Sequence, residues 1–122
     1  MGTKPEAVIV VMSAVRYTAV ATVDGRIYAF GGELGTGADS NEIQEYDLAS
    51  GRTRVIGRLR QPVSHASAVV LNGSIYLLAG RRNGAASDQI LRFDTARGTA
   101  VPAGRLASPV FDGAAGTVSG AG

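Results

Sequence analysis

Cysteine and tryptophan are absent from this 122-residue chain, histidine occurs once, and four Tyr and three Phe supply all the aromatic surface. Without cysteine there is no disulfide, no thiolate nucleophile and no Cys-ligated metal, but no compartment follows, because many secreted proteins also lack cysteine. Charge is sparse and balanced: 12 Lys and Arg against 10 Asp and Glu leave a formal net charge of +2. The arginines are scattered instead of forming a block, so nothing supports a nucleic-acid partner. The apolar run at residues 7–12 is far short of the roughly 18 or more residues that cross a bilayer. Read as a secretory leader, Lys4 followed by residues 7–15 fits poorly, since Glu6 stands between them and no clear small-residue cleavage site precedes Tyr17.

What the chain has instead is glycine, 17 of them, within a 45% hydrophobic composition. That composition is globular, and the length suits one small domain. With so few aromatics, small and β-branched residues fill the core, which suits thin, closely packed sheets.

The sequence repeats itself. Gly25, Gly73 and Gly120 stand 48 and 47 residues apart, each closing a two-residue turn (Asp24-Gly25, Asn72-Gly73, Ser119-Gly120). Ile27-Tyr28 returns as Ile75-Tyr76, Gly32 as Gly80, Tyr46-Asp47 as Phe93-Asp94, and Gly51 as Gly98. Arg58-Leu59 returns as Arg105-Leu106 and Pro62-Val63 as Pro109-Val110. A period near 50 is that of a propeller blade and not of the shorter helical repeats.

Each copy reads as four antiparallel strands. Residues 17–23 and 66–71 form strand a, each running into an Asp-Gly or Asn-Gly pair suited to a type I′ turn. Residues 26–31 and 74–79 form strand b, and 43–47 and 89–94, alternating apolar and polar, form strand c. Residues 54–57 and 100–103 form strand d. Asp47 and Asp94 sit at the same blade position, where a carboxylate caps the following turn. The expected class is all-β, with four-stranded antiparallel blades of a β-propeller.

The succession of a small-residue strand, a turn at Gly25, Ile27-Tyr28, Ala29-Phe30-Gly31-Gly32 and Glu45-Tyr46-Asp47 resembles the kelch repeat. Gly73, Tyr76, Gly80, Phe93 and Asp94 carry the second copy. Two departures are visible: Thr53 and Ala100 stand where the family carries a strand-d Trp, and Ala79-Gly80 replaces Gly-Gly. The resemblance implies a kelch-type β-propeller with degenerate, bacterial-style repeats and looser packing between blades. Copper oxidases with similar propellers use Tyr, His and Cys ligands from several blades, a set this chain cannot reproduce.

The expected division is a stray strand d at 1–15, blades at 16–62 and 63–109, and the start of a truncated third blade at 110–122, with residues 8–9 in the stray strand and 114–118 in the last. Two full blades plus a strand at each end do not close a ring of about four to eight. The remedy is either further blades of a longer chain or self-association.

Loops 33–42 and 81–88, and the connections 58–65 and 105–112, gather at one end of the blades, where binding function usually sits. Arg81, Arg82 and Asn83 offer guanidinium and amide donors to a carboxylate or peptide backbone, joined by Glu33, Asp39 and Asn41 and by Arg60. His65, aligned with Tyr17 and Asp112, is read as bonding an inter-blade backbone group, since a general base needs a partner and none is apparent. The glycine-rich stretch 31–37 lacks the Lys-Ser or Lys-Thr of a phosphate loop, and Asn72-Gly73-Ser74 is explained by its turn. The resulting expectation is a non-enzymatic module with no catalytic group, cofactor or metal, binding a protein, peptide or glycan through these loops. The alternatives are part of a larger kelch-like enzyme whose catalytic residues lie in other blades, and a homo-oligomeric propeller unit.

Overall fold

The computed structural model describes residues 15–78, 80–82 and 84–110. The proposed strands at 8–9 and 114–118, together with Ala79, Asn83, Asp112 and Gly120, lie outside the described residues.

The described chain is all-β. β1 (Val15–Arg16) precedes the first blade, which consists of β2 (Ala19–Val23), β3 (Arg26–Phe30), β5 (Glu42–Asp47) and β6 (Arg52–Arg58), paired in the order β2-β3-β5-β6. The second blade pairs β7 (Ser67–Leu71), β8 (Ser74–Leu78), β10 (Ala85–Asp94) and β11 (Thr99–Val110) in the equivalent order. All pairings are antiparallel.

The repeat extends to backbone conformation. The four described non-glycine residues with positive φ are Tyr17 and His65, at 57° and 59°, and Asp24 and Asn72, both at 51°. Asp24-Gly25 and Asn72-Gly73 thus have positive φ at both turn positions, the geometry that matches hairpin twist. Asp47 and Asp94 accept from the amides of Ala49 and Ala96 at 2.9 Å each, capping the strand c to strand d turns. The Ala49 amide holds the Asp47 carboxyl below its ordinary pKa.

Three stretches expected to be loop or connection are partly strand. Arg81–Arg82 forms β9, pairing with Ala85 and Ala86 through a turn in which Gly84 takes a φ of 78°. Glu33–Leu34 forms β4, which pairs with β1. β11 continues to Val110 alongside β10 instead of leaving at Ala103. In the first blade, Leu59 and Val63 of the equivalent connection are buried in the core between the blades, whereas the segment around Leu106 keeps pairing with β10.

One core lies between the two blades. Ala19, Ala21, Tyr28, Phe30 and Ile43 of the first blade meet Ile75, Leu77, Leu91 and Phe93 of the second. The Phe93 ring stands 5.0 Å from Phe30, edge to face, and 5.7 Å from Tyr28, arrangements that add to plain area burial. Burial raises the Tyr28 hydroxyl pKa, with the neighbouring Glu45 carboxylate acting in the same direction.

Gly31 and Gly57 are the closest approaches. A Cβ on Gly31, whose φ is 64°, would overlap the Val63 carbonyl, and one on Gly57 would lie 2.5 Å from the Gly98 carbonyl of the other blade. Gly25 has the same sign of φ but open space around it. Gly31→Ala is therefore expected to cost about 3 kcal/mol or more, backbone strain and overlap together, and Gly25→Ala about 1–2 kcal/mol of strain alone. Urea unfolding of the two variants checks this; equal losses would contradict the close approach.

Candidate functional site

The two blades are tied at the end where the strand b to strand c segments and the inter-blade connection meet. The Gly32 amide donates to the Val63 carbonyl at 2.7 Å, the Val63 amide to the Ser40 carbonyl at 3.1 Å, and the Leu59 amide to the Asn41 carbonyl at 2.7 Å. Ser64 and Arg81 exchange backbone hydrogen bonds, 48 residues on from the β1–β4 pairing of Arg16 with Glu33. The connection is thereby held as a rigid ridge.

The residues expected to offer donors have divided roles. Arg81 reaches back across the blade boundary, its Nη2 lying 2.7 Å from Glu33 Oε2 and 2.9 Å from Asp39 Oδ1. Its hydrogen bonds to Asp39 and Glu33 raise its pKa further. Glu33 and Asp39 are thus committed within the chain rather than presented to a ligand. Asn41 is also internal: besides its carbonyl, its side-chain amide donates to the Leu59 carbonyl at 3.4 Å.

His65 donates its backbone amide to the Tyr17 carbonyl at 2.9 Å, and their rings stack with centroids 4.0 Å apart and planes 19° apart. This bond between the two blades is made by the histidine's backbone. The stack could not be read from the sequence, because it requires both residues to adopt the left-handed conformation at matching blade positions.

Arg60 and Arg82 behave differently from Arg81. They line a crevice of about 350 Å³ together with Gln61, Gln89, Leu91, Ala100 and Pro102. Burial lowers the Arg82 pKa, its Nε is buried without a hydrogen-bond partner, and its Nη1 has only a 3.4 Å contact to Gln61 Oε1. Thr18 Oγ1 and Ser64 Oγ are likewise buried without partners, but neither lines this crevice. A second, more open depression of about 520 Å³ is lined by Glu33, Gly37, Ala38, Asp39, Pro62, Arg81 and Gly84.

Gln61, Gln89 and Ala100 were not singled out from sequence as site residues. The signal for Ala100 was its place in strand d, where a large aromatic was expected. Its methyl leaves open space against Leu91.

Comparison with known proteins agrees with the repeat. Residues 14–52 match the family described as Kelch motif. Among solved structures the chain is similar to "Structure of YjhT", with a TM-score of 0.66, 15% sequence identity, and coverage of 76% of this chain and 39% of that one. YjhT is a kelch-type propeller protein, and the present chain spans about two fifths of its length. No curated protein sequence matched. The chain therefore carries a kelch repeat at residues 14–52 in a propeller-like arrangement of antiparallel blades.

The Arg81 latch gives a direct test. Arg81→Gln leaves Glu33 and Asp39 without their shared cation, and is expected to lower the thermal midpoint and speed hydrogen exchange at the Gly32 amide. Arg81→Lys should restore part of both. Arg58→Gln, which removes an exposed pair with Glu42, should change little. An Arg81→Gln variant indistinguishable from Arg58→Gln would contradict the latch.

Proposed function

We propose that this chain is a non-enzymatic binding module that presents its strand b to strand c segments and inter-blade connection to a protein, peptide or glycan. The observation that carries the reading is the division of labour at this end. Arg81, Glu33, Asp39 and Asn41 fix the backbone, while Arg60 and Arg82 face a crevice on the same ridge. A rigid scaffold with unspent donors suits recognition, because little ordering cost is left to the binding step. Kelch repeats generally mediate protein interactions, which favours a protein or peptide over a glycan.

An array of peptides and glycans tests the reading. Ligands it identifies should lose binding on Gln61→Ala plus Arg82→Gln and keep it on substitutions in the opposite turns, such as Asp24→Asn. Ligands that map to those turns, or catalytic turnover of a bound ligand, would overturn it.

A second reading concerns the outer face of the second blade, which we propose takes another blade. Tyr28, Phe30 and Ile43 are buried in the first blade, whereas their counterparts Tyr76, Leu78 and Ile90 are half-buried. Leu71 and Val101 beside them are 45% and 51% exposed. Such a contiguous apolar face marks an interaction surface. Light scattering should report an oligomer that Leu71→Lys plus Val101→Lys reduces to a monomer. A parent chain that is already monomeric would leave further blades of a longer chain as the only occupant, and would end the self-association reading.

A further inference from the structure

We infer that the crevice floored by Leu91 and Ala100 and rimmed by Arg60, Gln61, Arg82 and Gln89 binds the carboxylate of a small apolar acid, either a free acid or the C-terminus of a peptide. This rests on the loop-end binding proposed above and specifies its chemistry.

The first argument is charge accounting. Arg26 and Arg54 pair with Glu45, Arg58 with Glu42, Arg81 with Glu33 and Asp39, Arg97 with Asp94, and Arg105 with Asp88. Among the described residues no carboxylate pairs with Arg52, Arg60, Arg82 or Arg92, and of these four Arg60 and Arg82 line one crevice. Like charges on one partly enclosed surface repel, and an anion between them relieves that repulsion.

The second argument is donor availability. The Nε of Arg82 is closed to solvent, so a ligand in the crevice meets the terminal nitrogens of this guanidinium, which together form a fork that fits the two oxygens of a carboxylate. Gln61 Oε1 is already turned toward Arg82 Nη1 at 3.4 Å, and its amide nitrogen, with that of Gln89, adds neutral donors at the rim.

The third argument is shape. Leu91 is buried, and Ala100 contributes only a methyl, so the floor is apolar while the rim is cationic. A volume of about 350 Å³ lies at the lower end of the range for small-molecule sites. An acid with a short branched hydrocarbon tail uses both ends of such a cavity, whereas inorganic phosphate uses only the rim.

The test is titration of the full chain with isovalerate, isovaleramide, inorganic phosphate, the dipeptide Gly-Leu and its C-terminal amide, followed by calorimetry and NMR. Isovalerate is expected to bind saturably with a Kd of about 1 mM and at least about tenfold more tightly than isovaleramide or phosphate. Arg82→Gln should weaken it about tenfold or more, and Arg82→Lys less. Ala100→Phe should abolish binding by filling the floor, without lowering the thermal midpoint. Circular dichroism melts establish that each variant is folded.

Tighter binding of Gly-Leu than of isovalerate, lost in the amide, would identify a peptide terminus as the ligand; binding of isovalerate alone would identify a free acid. Equal binding of isovaleramide or phosphate, an unaffected Arg82→Gln variant, or no saturation by about 50 mM would overturn the inference. If a partner identified on the array binds this end and isovalerate does not displace it, the broader binding reading stands while the carboxylate assignment fails.

Discussion

Burial of one blade face against the next is the interaction on which the remaining structure depends. A four-stranded antiparallel blade is too thin to contain its own core, so its apolar side chains leave water only where a neighbour covers them. Phe93 supplies the centre of that contact, inserted against Tyr28 and Phe30. Full burial of a side chain of this kind stabilises by about 1.5–3 kcal/mol, whereas exposed ion pairs such as Arg58–Glu42 contribute about 0–1 kcal/mol. The apolar contact therefore sets the position of the blades, and the polar groups of the loop end refine it.

Two successive residues illustrate how that refinement turns into chemistry. Arg81 and Arg82 are neighbours in β9, and strand alternation sends their side chains to opposite sides. One finds Glu33 and Asp39 on the first blade and becomes part of the scaffold. The other hydrogen-bonds Gln61 and, among the described residues, remains partly desolvated without a counter-charge. The same residue type thus serves rigidity in one case and recognition in the next, and the sequence alone does not distinguish them.

Hairpin turns were legible in the sequence because Asp24-Gly25 and Asn72-Gly73 encode their conformation locally. The repeat of Ile-Tyr and aromatic-Asp made the blade order legible too, since identical spacing demands identical pairing. Local signals did not reveal β9 or the long β11. The pairing of Arg81 and Arg82 with Ala85 and Ala86 depends on Gly84 tightening a turn, and the extension of β11 depends on pairs made with the other strand, such as Val110 with Ser87. At the site, the residues at the loop end were identifiable by position. Their partners were not, because Arg81–Glu33 joins residues separated by a whole repeat.

The two faces of each blade are not interchangeable: one carries Tyr28 and Phe30, the other the counterparts of Ile75 and Leu77. Stacking therefore has a direction, like the links of a chain joined hook to eye. Any assembly made this way is heterologous, and it closes into a ring or grows as an open filament according to the rotation per unit. A defect in one face leaves the other competent. Two chains damaged on opposite faces still share one intact junction, and growth stops there at a pair.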